Sequence, residues 1–257
     1  MITRDTPWPA GTPCWVDISV PDLEKARKFY GELLGWTTEV GPEEFASYTN
    51  ASLDGRLVAG IVPQQSPDQP VAWTTYLATD DAAATEAKVQ AAGGTVMMPV
   101  MDVSGVGKMG IYADPGGAVF GIWEAGTHTG GQLANAPGAL AWNENMTRNF
   151  EDNQKFYAEV FGYSYADMSA EGFRYATFGT TGDPAGGIGA LPAGTPAEVP
   201  ATWGVYFGVR DTDATVAKAK ELGGTVVDEA QDTTFGRVSR LADDQGAVFS
   251  VISVPEA

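Results

Sequence analysis

The chain is a template for itself. Lys28-Phe-Tyr-Gly-Glu-Leu-Leu-Gly-Trp36 returns as Lys155-Phe-Tyr-Ala-Glu-Val-Phe-Gly-Tyr163, and Ala92-Gly-Gly-Thr-Val96 returns in outline as Leu222-Gly-Gly-Thr-Val226. Matches that keep the same order through both halves are the mark of duplicated architecture, so the fold must be one that two copies can adopt side by side. A residue type that recurs at paired positions therefore weighs more than one that occurs once.

At 257 residues and 44% hydrophobic content the chain is large and apolar enough for two ordinary domains, each with its own core. The formal charge of -18 argues against nucleic acid or an anionic membrane as partner, because the summed field would repel both. One cysteine, Cys14, excludes an internal disulfide, and the opening Met1-Ile-Thr-Arg-Asp5 lacks the apolar run of a signal peptide. No stretch approaches the roughly 20 apolar residues of a membrane span. A cytoplasmic protein handling a small molecule is the expectation.

The segment Ala125-Gly-Thr-His-Thr-Gly-Gly-Gln-Leu-Ala-Asn-Ala-Pro-Gly138 has linker chemistry and sits mid-chain. It divides the chain into a first domain over 1–127, a linker over 128–138 and a second domain over 139–257. In the first, Cys14, Val16, Ile18 and Val20 alternate with Trp15, Asp17 and Ser19, the period of a strand with two unlike faces. Asp22 then reads as a helix N-cap, Ala26, Phe29, Tyr30 and Leu33 as a buried helical stripe, and Gly35 as the terminating residue. Asn153, Phe156, Tyr157 and Val160, closed by Gly162, repeat the pattern. A second cycle begins with Trp73-Thr-Thr-Tyr-Leu-Ala-Thr79, its counterpart with Trp203-Gly-Val-Tyr-Phe-Gly-Val209, and each continues into a helix and three strands. The unit is βαβββ, an α+β arrangement occurring four times, over about 12–65, 70–125, 139–193 and 200–254.

The fourfold unit, the Phe29-Tyr30 helix ending in Leu34-Gly35-Trp36, the Ala92-Gly-Gly turn and the Asp114-Pro-Gly-Gly-Ala-Val-Phe120 strand start together resemble the vicinal oxygen chelate superfamily of glyoxalases, bleomycin-resistance proteins and extradiol dioxygenases. The resemblance spans nearly the whole chain and is nearest to tandem, hydroxylase-like members from actinobacteria. It implies two tandem open-barrel domains, each of two paired modules around a cleft that in many members holds a divalent metal. The family's ligand positions fall here on Trp15, Thr74 and Gly121 in one half and on Trp142, Gly204 and Ser250 in the other, none a good donor. The single histidine, His128, lies in the linker. We therefore expect no metal cofactor, while an all-oxygen Mg²⁺ site would need more than the one obvious carboxylate per cleft.

If Trp15 and Trp142 take first-strand ligand positions, Asp17 and Glu144 point into the same clefts, since side chains alternate along a strand. A carboxylate beside an indole in a dry hollow is a candidate general acid or base, or else a structural hydrogen-bond acceptor. Tyr76 and Tyr206 share the cleft face as candidate donors to a ligand oxygen, and Trp123 adds a further ring. Lys108 and Arg237 recur just before a strand and are candidates to pair with the cleft carboxylate or an anionic ligand group, or to face solvent. Asn143 and Asn145 occupy the helix-facing positions held by Val16 and Ile18, so either that module packs differently or its strand register is slipped. Two functions stay open: a metal-independent binder of an apolar or aromatic metabolite or drug, and an enzyme, whether a lyase, isomerase or hydroxylase-like catalyst using Asp17 and Glu144 or a metal-dependent one with unusual ligands. A monomer is expected, since the halves can pair within one chain, with a homodimer left open.

Overall fold

A computed structural model describes residues 1–180 and 182–255. The first half contains β1 (Ile2–Thr3), β2 (Pro13–Val20), α1 (Leu23–Leu34), β3 (Thr37–Val40), β4 (Thr49–Leu53), β5 (Arg56–Pro63), β6 (Ala72–Thr79), α2 (Ala82–Ala91), β7 (Thr95–Asp102), β8 (Gly107–Ala113) and β9 (Val119–Ala125). The second contains β10 (Leu133–Ala134), β11 (Leu140–Thr147), α3 (Phe150–Phe161), β12 (Ser164–Asp167), β13 (Tyr175–Gly179), β14 (Gly186–Ala190), β15 (Thr202–Val209), α4 (Thr212–Glu221), β16 (Thr225–Thr233), β17 (Gly236–Ala242) and β18 (Val248–Ser253). Among the described residues no helix is long and apolar enough to cross a membrane.

The local signals act as expected. Asp22 caps α1 by accepting from the Lys25 amide, and Gly35 and Gly162 close α1 and α3 in the left-handed conformation, with φ of 79° and 75°. The strand order β3-β4-β5-β2-β6-β9-β8-β7 is matched, element for element, by β12-β13-β14-β11-β15-β18-β17-β16. Each half is thus two βαβββ modules joined edge to edge, through the antiparallel pairs β2–β6 and β11–β15. The sheets stay open; neither closes into a complete barrel. One expectation needs correction. The register shifts between Pro13 and Trp15, so Cys14 leaves the Val16–Ile18–Val20 face and packs beside Trp15 and Tyr76. A bulge of this kind breaks strict alternation by one residue.

The helix-bearing faces of the two sheets pack against each other. One core joins Val16, Ile18, Phe29, Tyr30 and Trp73 of the first half to Phe207, Phe249 and Val251 of the second; another joins Leu77, Phe120 and Ile122 to Phe156, Tyr157 and Trp203. Each large ring so buried contributes roughly 1.5–3 kcal/mol. Polar bridges cross the same seam in both directions. Tyr30 donates to Asp243 Oδ2 (2.9 Å), and Tyr157 donates to Asp114 Oδ2 (2.8 Å). Each aspartate holds its own turn with Oδ1, through the amides of Ala247 (2.8 Å) and Ala118 (3.0 Å).

This seam resolves the asparagine anomaly. The register of β11 is not slipped: Asn143 and Asn145 face the other half, where Asn143 donates to Thr75 Oγ1 and Asn145 to Asp114 Oδ2, both at 2.8 Å. Asn153 adds a third amide donor to Asp114, at 2.9 Å. The polar residues are tolerated because their partners are supplied across the interface.

Tyr157 also accepts from Trp203 Nε1 (2.8 Å), whereas the matching indole, Trp73, packs edge-on against Tyr30 with ring centres 5.4 Å apart. Tyr157→Phe should cost about 1–3 kcal/mol of stability by leaving the Trp203 indole N–H without its acceptor, since Asp114 Oδ2 keeps the Asn145 and Asn153 donors, and Tyr30→Phe a similar amount by taking the phenol from Asp243 Oδ2. Equilibrium denaturation of the two variants measures both losses. Unchanged stability in Tyr157→Phe would mean the Trp203 link carries no energy.

Candidate functional site

With one face of each sheet committed to the seam, the opposite, concave face remains for chemistry. The β2–β6 register sets Trp15 opposite Tyr76 and Asp17 opposite Thr74; the β11–β15 register sets Trp142 opposite Tyr206 and Glu144 opposite Gly204. Trp15, Asp17 and Tyr76, and equally Trp142, Glu144 and Tyr206, are thereby brought together. Between them stands a residue absent from the sequence-based reading, Tyr48 in the first half and Tyr175 in the second.

The two clusters have one wiring. Trp15 Nε1 donates to the Tyr48 hydroxyl (2.7 Å), Tyr48 donates to Asp17 Oδ2 (3.2 Å) and Tyr76 donates to the same oxygen (3.0 Å). Trp142 Nε1 donates to the Tyr175 hydroxyl (2.9 Å), Tyr175 donates to Glu144 Oε2 (2.9 Å) and Tyr206 to Glu144 Oε1 (2.5 Å). Both tyrosines that the sequence reading missed lie 33 residues after their indole, and that shared spacing was the signal that could have found them. Glycine makes the approach feasible: a Cβ at Gly60 would overlap the Tyr48 hydroxyl, and one at Gly187 the Tyr175 hydroxyl.

Each carboxylate is already taken by two phenol O–H groups, and a side chain at position 121 would collide with the Tyr76 ring. Among the described residues no group of three or more His, Cys, Asp and Glu side chains is gathered as an ion would require.

The halves differ in cover. Around the first cluster, Trp15, Tyr76 and Trp123 are buried in a third apolar core against which the partly buried Trp8, Val103, Val106, Met109 and Ile111 pack, while Tyr48 stays half-buried. The connecting segment helps to seal it, through Gly131 N to Cys14 O (2.7 Å) and Trp8 Nε1 to Gly131 O (2.8 Å). His128, expected to stand apart from the clefts, instead packs edge-on against Trp15 (4.5 Å between ring centres) and Trp123 (5.4 Å). Burial holds its imidazole below the usual pKa, favouring the neutral ring. In the second half Trp142, Glu144, Tyr175 and Tyr206 are only half-buried, and no buried apolar cluster forms over them among the described residues.

Electrostatics follow the cover. Asp17 is 7% exposed, and desolvation drives its pKa from 3.8 up to about 7 against the opposing pull of the Tyr76 and Tyr48 hydrogen bonds. Both phenols address Oδ2, which leaves Oδ1 to carry the proton. Glu144 is also raised by desolvation, but phenols hold both of its oxygens and the Arg240 charge favours its ionised form.

Two expected contributors lie elsewhere. Lys108 pairs with Glu124 (2.6 Å), whose other oxygen accepts from the Ala82 amide at the start of α2, and Arg237 pairs with Asp213 on α4 (2.9 Å) and with Asp232 (3.2 Å). Both belong to the helix side, as the strand alternation around Trp123 and Met109 requires, and neither reaches a cleft carboxylate. A groove of about 740 Å³ between the halves, lined by Leu34, Gly35, Leu53, Gly138, Val209 and Lys218 among others, contains none of the clustered side chains.

Residues 14–122 match the family described as the Glyoxalase/Bleomycin resistance protein/Dioxygenase superfamily, and residues 144–252 match the Glyoxalase-like domain. The chain is 39% identical, over 100% of its length and 97% of the relative's, to the anthracycline biosynthesis protein DauV of Streptomyces sp. (strain C5). Its fold is similar to the Mn(II)-bound glyoxalase from Novosphingobium aromaticivorans, with a TM-score of 0.67 at 19% identity, covering 95% of this chain and 82% of that one. It is likewise similar to the 2,3-dioxygenase LapB from Pseudomonas sp. KL28, with a TM-score of 0.67 at 15% identity, covering 97% and 93%.

Because the native Asp17 holds its proton up to about pH 7 while the unfolded chain releases it near 3.8, the native state binds the extra proton across that window and stability falls as pH rises through it. Asp17→Asn, which carries no charge, should flatten the decline. Between pH 5 and pH 8 the wild type should lose about 2–3 kcal/mol more than the variant, an upper estimate for a single buried carboxyl. Urea titrations at the two pH values measure it, and parallel declines would show that Asp17 is ionised in the native state throughout.

Proposed function

We propose that this chain, which belongs to the glyoxalase/bleomycin resistance protein/dioxygenase superfamily, binds a flat aromatic small molecule on the concave face of its second half and does so without a metal. The observation that carries the reading is the duplicated indole–phenol–carboxylate–phenol cluster, sealed in one half and half-open in the other. Where cover is complete the cluster is a core; where it is partial, the same rings and hydroxyls offer a ligand both a face and hydrogen bonds. Trp142 supplies an indole, and the Tyr175 ring is stacked at 5.4 Å under an exposed Phe173, 45% open to solvent. The name of the relative DauV, an anthracycline biosynthesis protein, supports a polycyclic aromatic ligand. Metal independence is supported by the donor set: one carboxylate per cluster, already held by two phenols.

A second reading rests on Glu144 itself. A carboxylate with a raised pKa between two phenols can take a proton from carbon beside a ligand carbonyl while Tyr206 donates to the carbonyl oxygen, an enolisation. Binding alone requires no such transfer.

Titration of tryptophan fluorescence with an anthraquinone tests the binding, and hydrogen exchange of an enolisable ketone tests the transfer. Trp142→Ala should weaken binding about tenfold or more, the loss of one stacked aromatic partner. Glu144→Gln keeps the shape and one of the two acceptor oxygens, and the phenol facing the new amide NH2 can turn to accept from it, so affinity should change by less than about threefold if the site only binds. If the site enolises its ligand, exchange of the C–H beside the carbonyl of a tetralone, a ring ketone that has the α-hydrogen the anthraquinone lacks, with deuterated solvent should be catalysed by the native protein and should disappear in that variant. Unchanged affinity in Trp142→Ala would remove the second cleft from the reading.

A further inference from the structure

The two clefts began as copies, and one row of residues across the concave face has diverged in chemistry. In the first half the strand registers align Trp15, Tyr76, Gly121, Ile111 and Met98. In the second they align Trp142, Tyr206, Ser250, Arg240 and Asp228. Beyond the shared indole and phenol, an apolar row has become a hydroxyl, a guanidinium and a carboxylate, and the position of Ile111, packed over the sealed core, is held by an exposed Arg240.

We infer that the ligand of the second cleft carries an acidic oxygen, as a carboxylate, phenolate or enolate, and that Arg240 is the residue that selects it. This rests on the proposed function, since it names the chemistry of that same ligand. Arg240 lies in the row of Tyr206 and Ser250, and its charge reaches Glu144. Its Nε is held by Asp228 at 2.8 Å, with half of each side chain open to solvent. An exposed pair of this kind is weak, so Asp228 orients the guanidinium without locking it, and the planar fork suits an incoming acid oxygen. In a chain of net charge -18 an anion is repelled unless a cation is fixed at the point of contact. The bland account is a cross-strand surface pair that touches no ligand, and the two accounts differ in ligand preference.

The test is a fluorescence titration of the full chain with anthraquinone-2-carboxylate and with its neutral carboxamide, of the same shape. The carboxylate should bind about tenfold tighter, in line with one charge-assisted contact. Arg240→Gln should erase that preference, weakening the carboxylate about tenfold more than the carboxamide, and Arg240→Lys, which keeps the charge and loses the fork, should retain part of it. Asp228→Asn should strengthen the preference by releasing the guanidinium. Thermal unfolding confirms that these surface variants fold. Equal affinity for the two probes in the native protein, or a preference that survives Arg240→Gln, overturns the inference and leaves aromatic binding standing. Failure of both probes to bind overturns the aromatic-binding reading, and this inference with it.

Discussion

Each sheet has one face too apolar for water, and it is covered by the equivalent face of the other copy. Trp73 meets Phe207 with ring centres 5.1 Å apart, and Phe29 meets Phe249 at 6.4 Å, so the halves are built as each other's core. That constraint assigns the rest. The polar residues on the packed faces must find partners across the seam, as Tyr30 does on Asp243 and Tyr157 on Asp114. The opposite faces, which carry the indole–phenol–carboxylate clusters, are left outside the seam.

On those faces a buried carboxylate is kept in place by phenols rather than by an opposite charge. The arrangement makes each carboxyl group an acceptor without fixing its ionisation, so the degree of cover shifts the balance between acid and carboxylate. Asp17, under a closed lid of apolar rings, favours the neutral acid; Glu144, nearer solvent and Arg240, is better able to carry charge. Duplication thus yields two copies of one hydrogen-bond circuit in different dielectric surroundings. One of them lies under apolar side chains, and the other stays half-open to solvent.

Much of this was legible beforehand. The repeat placed Trp15 beside Trp142 and Asp17 beside Glu144, and period-two alternation put them on one face, as the strand registers bear out. Tyr76 and Tyr206 followed from the second strand of each half. Lys108 and Arg237 misled because recurrence in sequence says that a position is shared, not which side of the strand it occupies; their partners, Glu124 and Asp213, lie at the helices. Asn143 and Asn145 looked like a defect because their partners, Thr75 and Asp114, come from the other half.

The sequence by itself determined the four modules, the caps of the helices, the faces of the strands and the pairing of the clusters, all of which depend on residue spacing within a few turns or on repetition along the chain. Only the tertiary structure decided that Tyr48 and Tyr175 complete the clusters, that His128 folds back between Trp15 and Trp123, and that one concave face is closed while the other is half-open. Cover is a property of segments far apart in the chain that share a surface, and no local pattern of residues encodes it.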